Sequence, residues 1–253
     1  MQLKSFEEKM SKEWAMLFKP FIESKEMNAI YAALKIHSKT NTIYPLSSDT
    51  FQAFKLVKPK DVKLIVIGEE PFCGMFHQTQ LPQADGLCLS NGYAGKIIMP
   101  DLIAFLKSLS KYFDLPYEDY FKINNLSFLA EQGILLLNKS LTVNRNKIDS
   151  HKGLWDPFYK FFFEKIMKDL NNIPIIVLGE NLIKISNYSA PIIELKSPSF
   201  YSDRDEDMLF PNKCLDEIDD YLREYKGVAI KWSHVVWKEN KNNPLFSTHL
   251  LPF

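Results

Sequence analysis

The sequence predicts an α/β protein with three layers, α/β/α, around a central four-stranded, mainly parallel sheet. Three observations carry that expectation. Four short apolar runs, rich in β-branched residues, occur at 62–68 (VKLIVIG), 133–138 (GILLLN), 173–179 (IPIIVLG) and 191–195 (PIIEL). Long amphipathic stretches separate them, and strands alternating with helices make a parallel sheet covered on both faces. Each run ends at or runs straight into a glycine or a polar residue, and sites in such sheets form at the carboxyl ends of the strands.

In chain order, 8–18 and 23–37 read as an N-terminal pair of helices within residues 1–40. The run 62–68 is the first strand, and it drives straight into Glu69 and Glu70. A buried strand that ends in two carboxylates points at a site, because that charge must be solvated or must meet a partner. Residues 101–113 (DLIAFLKSLSKYF) carry apolar positions at helical spacing, with Asp101 after Pro100 as the N-cap. The second strand ends at Asn138. Residues 155–170 (WDPFYKFFFEKIMKDL) read as a helix whose aromatic face packs on the sheet. The third strand delivers Gly179 and Glu180, the fourth Lys196 and Ser197, and 212–225 is a further helix. Residues 233–253 read as a C-terminal extension, rich in Asn and Lys and then apolar. Neither an internal repeat nor a low-complexity linker divides 1–253, which therefore reads as one domain.

Composition narrows the function classes. Lys plus Arg equals Asp plus Glu, 31 against 31, so no global basic field coats nucleic acid, although a local patch can still grip a backbone. Cys73, Cys88 and Cys214 lack paired spacing, so neither zinc nor disulfides are expected, and a reducing, cytoplasmic setting is. The N-terminus lacks a signal-peptide core and no apolar run reaches membrane-spanning length. The expectation is a monomer with no membrane partner and no metal or other cofactor.

Several colinear stretches resemble the family 1 uracil-DNA glycosylases, from about residue 40 to 232. The segment 42–74 (TIYPLSSDTFQAFKLVKPKDVKLIVIGEEPFCG) is similar to the approach to that family's GQDPYHG motif. QADGLCLS (83–90) resembles the strand carrying its base-stacking phenylalanine. LSFLAEQGILLLNKSLTV (126–143) is similar to LLLN(A/T)xLTV, SHKGLW (150–155) to SHxxxGW, and IKW (230–232) to the usual ending. The resemblance implies a DNA glycosylase that flips a pyrimidine out of DNA and hydrolyses its N-glycosidic bond, leaving an abasic site.

Carried over residue by residue, the resemblance gives Glu70 the place of the aspartate that polarises the attacking water. Glu69 is the alternative carboxylate. Phe72 stands for the tyrosine against the C5 edge of uracil, Cys73 for the following histidine, and Leu89 for the stacking phenylalanine. Asn138 is the kept asparagine that reads the base edge. The family's HPSPLS loop aligns with Ser197-Pro198-Ser199-Phe200-Tyr201-Ser202, so Ser197 replaces the catalytic histidine; a one-residue shift puts Lys196 there instead. Tyr201 or Phe200 is then the wedge that fills the vacated stack. Lys139, His151, Lys152, Arg145 and Arg204, with Ser90, Ser140 and Ser199, form the expected phosphate-contacting rim.

The chemistry asks for a flipped base held by its edge, an acceptor for charge on the leaving base, and a carboxylate beside the sugar. Glu70 supplies the carboxylate on one extra methylene, and Asn138 can both donate to a carbonyl and accept from a ring N–H. The changes cluster on the C5 and stacking walls, and the segment 75–82 (MFHQTQLP) is longer than in ordinary members. That pattern predicts a base choice shifted from plain uracil toward a C5-modified pyrimidine of the phage type, in repair, replication or antiviral defence. The competing readings are a catalytically weak or inactive DNA-binding replication module, and a partner-binding decoy leaning on 233–253. Retention of an acid at position 70 favours the enzyme.

Overall fold

The computed structural model describes residues 4–93, 98–114, 123–170, 172–185, 188–201, 209–211 and 213–233. The extension after Ser233, together with Ser202 of the aligned loop and Arg204 of the expected DNA rim, lies outside the described residues. The chain begins with a short helix α1 (Lys4–Glu7), then α2 (Lys12–Ile22) and α3 (Lys25–His37). Ser11 and Ser24 set the starts of the latter two, their side chains accepting from the N–H groups of Trp14 at 3.4 Å and Met27 at 3.1 Å. There follow β1 (Ile43–Tyr44), α4 (Gln52–Leu56), β2 (Leu64–Gly68), α5 (Pro100–Tyr112), α6 (Ser127–Ala130), β3 (Ile134–Asn138) and β4 (Val143–Asn144). The chain continues through α7 (Asp156–Phe161), β5 (Ile175–Leu178), β6 (Ile192–Leu195) and α8 (Cys214–Lys226).

The main sheet has four parallel strands in the order β3-β2-β5-β6, while β1 and β4 form a separate antiparallel pair. Every residue of β2, β3 and β5 is buried, which is why their sequences are apolar runs rather than alternations. Only the edge strand β6 shows Ile192 and Glu194 to solvent. On one side Trp14, Phe18, Phe54, Phe158 and Phe162 interlock, with the Phe18 and Phe158 rings stacked at 4.7 Å. Each such fully buried side chain contributes about 1.5–3 kcal/mol of apolar burial, so the aromatic face ties α2, α4 and α7 into the core. No helix among the described residues is long and apolar enough to cross a membrane.

Four local expectations are corrected. Residues 83–90 form an irregular loop, folded about the Asp85 carboxylate, which accepts from the N–H of Leu87, a donor that a ladder would otherwise use, and from the Ser90 hydroxyl and the Gly92 N–H. Asp101 is not the N-cap of α5; Pro100, whose fixed φ suits the first helical position, starts the helix one residue earlier, after Met99. The helix expected over 155–170 is α-helical only to Phe161, then widens into a π-turn, Phe162–Ile166, and ends in turns. The N-terminal pair begins later than expected, and α2 and α3 start where their serine caps sit.

Candidate active site

Strand register brings the site together. Gly68 of β2 lies opposite Asn138 of β3, and Leu178 of β5 opposite Leu195 of β6. The residues that follow, Glu69, Glu70, Gly179 and Ser197, therefore leave the sheet at one level. Backbone bonds fix the exits: Lys139 N–H donates to Gly68 O at 2.8 Å, Ser140 N–H to Glu69 O at 2.9 Å, and Gly179 N–H to Leu195 O at 2.9 Å. Close approach explains the glycine at 68. A Cβ there would sit 2.5 Å from Cys88 Sγ and 3.5 Å from Asn138 Oδ1.

The strand ends frame a cavity of about 390 Å³. Glu69, Glu70, Phe72, Cys73, Leu89, Asn138, Ser197 and Ser199 all line it, so most of the base-pocket and catalytic residues expected from the sequence meet in one place. Asn138 is 4% exposed, its backbone carbonyl accepts from Tyr159 Oη at 2.5 Å, and its side-chain amide has no hydrogen-bond partner among the described residues. The amide opens on the cavity, where solvent or a ligand can meet its donors and its acceptor.

Both Glu70 oxygens accept from one donor, the Asp149 N–H, at 3.1 and 3.0 Å. Burial raises the Glu70 pKa, with the Asp149 N–H partly offsetting it and the charges of Asp149 and Glu69 pushing it further up. Glu69 is exposed, and its Oε2 accepts from Ser197 Oγ at 2.8 Å; Ser197 Oγ lies 2.9 Å from Ser199 Oγ. Cys73, in the place of the family histidine, is half-buried on the cavity wall, where burial and then Glu70 push its thiol pKa up, away from the nucleophilic thiolate.

Other expected site residues sit elsewhere. Lys196 is exposed and turned onto the Phe200 ring, 4.1 Å from its centroid, so of the two histidine substitutes it is Ser197 that lines the cavity. Phe200 is 39% exposed, whereas Tyr201 is partly buried against the core, edge-on to Phe200. Ser90 is fully buried between Asp85 and the Leu126 N–H. Ser140 is buried with its hydroxyl toward His151 O. His151, 2% exposed, bonds Thr142, Asn144 and His37, so a phosphate cannot reach it. Lys139 pairs with Asp156 and lies over the Tyr159 ring, and Lys152 pairs with Asp149. Arg145 is exposed, with no side-chain partner among the described residues.

Three participants escape sequence reading. Asp101, in the first turn of α5, faces the cavity; burial and then Glu69 raise its pKa. Asp85, raised by burial, organises the loop that holds Leu89 on the cavity wall at φ +60°. Ile148, 73% exposed, stands at the cavity's lip. Only Asp85 left a signal, the Asp-Gly pair of QADGLCLS, which marks a turn rather than a strand. Among the described residues no group of three or more His, Cys, Asp or Glu is placed to hold a metal.

No family model matches the chain. Individual relatives do. A uracil-DNA glycosylase of Mesomycoplasma hyopneumoniae (strain 7448) is 32% identical over 205 residues, covering 76% of this chain and 84% of the relative. The chain belongs to the uracil-DNA glycosylase family. That family consists of DNA glycosylases, hydrolases of N-glycosidic bonds. A second member, from Amoebophilus asiaticus (strain 5a2), is 28% identical over 228 residues, 85% of this chain and 96% of the relative. Among solved structures, mimivirus uracil-DNA glycosylase superposes with a TM-score of 0.77 at 19% identity, covering 92% of this chain and 89% of that one. The likeness establishes the uracil-DNA glycosylase fold.

Proposed function

We propose that the protein extrudes a pyrimidine nucleotide from DNA and hydrolyses its N-glycosidic bond, with base choice shifted from plain uracil toward a C5-substituted pyrimidine. One observation carries the reading: the Asn138 amide and the Glu70 carboxylate, delivered by adjacent strand ends, face one cavity of about 390 Å³. In this reading the partnerless Asn138 amide pairs with the edge of the base. Glu70, beside the sugar, steadies positive charge on the oxocarbenium-like centre and orients water for attack. Ser197 Oγ, now donating to Glu69, donates to the leaving base. Phe200, the exposed aromatic of the 198–201 turn, fills the gap in the stack, buttressed by Tyr201. The exposed Arg145 and Lys147, with Ser199, meet phosphates.

Support for the shifted base choice comes from the walls. Phe72 lacks a hydroxyl, Leu89 lacks a flat face, and the cavity lining includes Gln83 at the end of the longer 75–82 segment. One chain supplies every residue of the site, so the reading needs no second subunit. The three free cysteines suit a reducing cytoplasm, where DNA is also found. Excision assays on oligonucleotides bearing uracil, thymine and 5-hydroxymethylpyrimidines test it. Release of a C5-substituted base faster than uracil is the expected result; release of uracil alone removes the shifted choice, and no release from any substrate removes the glycosylase.

One observation favours a second reading, a DNA-binding module with weak chemistry. No Lys, Arg or His lines the cavity among the described residues, so no cation there neutralises an anionic leaving base. Removing one preorganised donor of that kind costs about 10²–10³-fold in rate. Tight DNA binding without base release on the same substrates is its signature.

A further inference from the structure

We propose that Asp101 is a specificity-determining residue of the cavity, its carboxylate accepting a hydrogen bond from an amine or hydroxyl carried by the extruded base. The inference rests on the reading that the cavity takes a base, and it names which bases the cavity takes. Asp101 lines the same cavity as Asn138, and neither side chain has a hydrogen-bond partner among the described residues. Asn138, at 4% exposure, opens its amide on that cavity and offers both donors and an acceptor, enough to match the pairing edge of a pyrimidine. Asp101 is a different kind of group. An ionised carboxylate only accepts, and the charged group that acts on it, Glu69, which lines the same cavity, has the same sign.

No lining Lys, Arg or His among the described residues answers that charge. A half-buried carboxylate without a partner is costly, and an occupant that donates to it relieves the cost. Uracil and thymine present carbonyl oxygens away from the ring N–H, and an oxygen facing Asp101 is repelled. A 4-amino group, or a hydroxyl or amine at the end of a C5 substituent, supplies the missing donor. Sites built to bond a polar group discriminate strongly against analogues that lack it.

The test uses single-stranded oligonucleotides with one 2′-fluoro nucleotide bearing uracil, cytosine, thymine or 5-hydroxymethyluracil. The fluorine disfavours the oxocarbenium-like state, so fluorescence-anisotropy binding is read apart from cleavage. Wild type is expected to bind 5-hydroxymethyluracil over thymine, or cytosine over uracil, by about tenfold or more. The first pair locates the donor at C5 and the second at C4. Asp101→Ala brings the preference to within about threefold, and Asp101→Asn, which keeps the side chain's size, leaves an intermediate value. Absence of preference in wild type for both pairs overturns the assignment, as does a preference that both variants retain. The same oligonucleotides without fluorine separate the two readings. Preference without base release overturns the glycosylase and leaves Asp101 standing; release without preference overturns Asp101 alone.

Discussion

Asn138 carries two donors and an acceptor oxygen on its side-chain amide, and the described protein uses none of them. A residue held this way contributes to function and little to folding. Asn138→Ala is therefore expected to cut excision by about 10²–10³-fold while unfolding free energy stays within about 1 kcal/mol of wild type. Thermal unfolding and excision measured on the same preparation check both halves. Glu70 gives a prediction in pH. Its carboxyl must be ionised to act, and burial raises its pKa, so excision should fall with acid above the ordinary glutamate value of about 4.3. Stability runs the opposite way. The unfolded chain ionises first as pH rises, so the folded state loses stability between the ordinary and the raised pKa and stays lower beyond it. Glu70→Gln should abolish the acid limb of the rate profile together with most of the rate, and should flatten the stability curve in urea titrations across that window. Glu69, Glu70, Asn138 and Ser197 were legible as polar residues at strand ends. Ser90, Lys139 and His151 were not, because the partners that occupy them, Asp85, Asp156 and His37, are chosen by the fold and not by local sequence.

The end of β2 is the element on which the site depends. Gly68 leaves no room for a side chain, with Cys88 Sγ only 2.5 Å from where a Cβ would stand. Gly68→Ala should destabilise by about 1–3 kcal/mol and displace the Glu69–Glu70 turn, with excision falling alongside. Adding Cys88→Ala removes the clashing sulfur, so the double variant should regain stability over Gly68→Ala alone; a double variant no more stable refutes the steric account. The strands were legible because burial on both faces writes an unbroken apolar run. Residues 83–90 misled for the same reason in reverse. Leu87, Cys88 and Leu89 look like a strand, yet Asp85 diverts the backbone donors and Gly86 adopts φ +92°. The end of α7 was illegible because a π-turn keeps the apolar spacing while changing the helix beneath it. Asp101 looked like a cap for a similar reason: one residue separates a capping position from one that faces the cavity.

Across the whole molecule, the N-terminal helices are joined to the segments beyond β3 through two histidines, the half-buried His37 and the buried His151. Asn144 Nδ2 lies 3.0 Å from His37 Nδ1, and His151 Nε2 lies 3.1 Å from both His37 Nδ1 and Asn144 Oδ1. Thr142 Oγ1, itself bonded by Trp155 Nε1, lies 2.8 Å from His151 Nδ1. Burial, and then His37, push the His151 pKa down to about 4. The unfolded chain takes up this proton near pH 6.5, so stability is full above that value and is lost as pH falls toward about 4. His151→Gln should remove that acid-side loss while lowering stability at neutral pH, as read by thermal unfolding across the range. All these scales converge on one claim, that Glu70 and Asn138 act on a single nucleotide held between them. Single-turnover formation of alkali-labile sites, measured with wild type, Glu70→Gln and Asn138→Ala on uracil- and 5-hydroxymethyluracil-containing DNA, tests it most directly. The account expects abasic sites from wild type and a loss of about a hundredfold or more in each variant, with DNA still bound. Wild-type rates in either variant, or no abasic sites from wild type on any substrate, would contradict it.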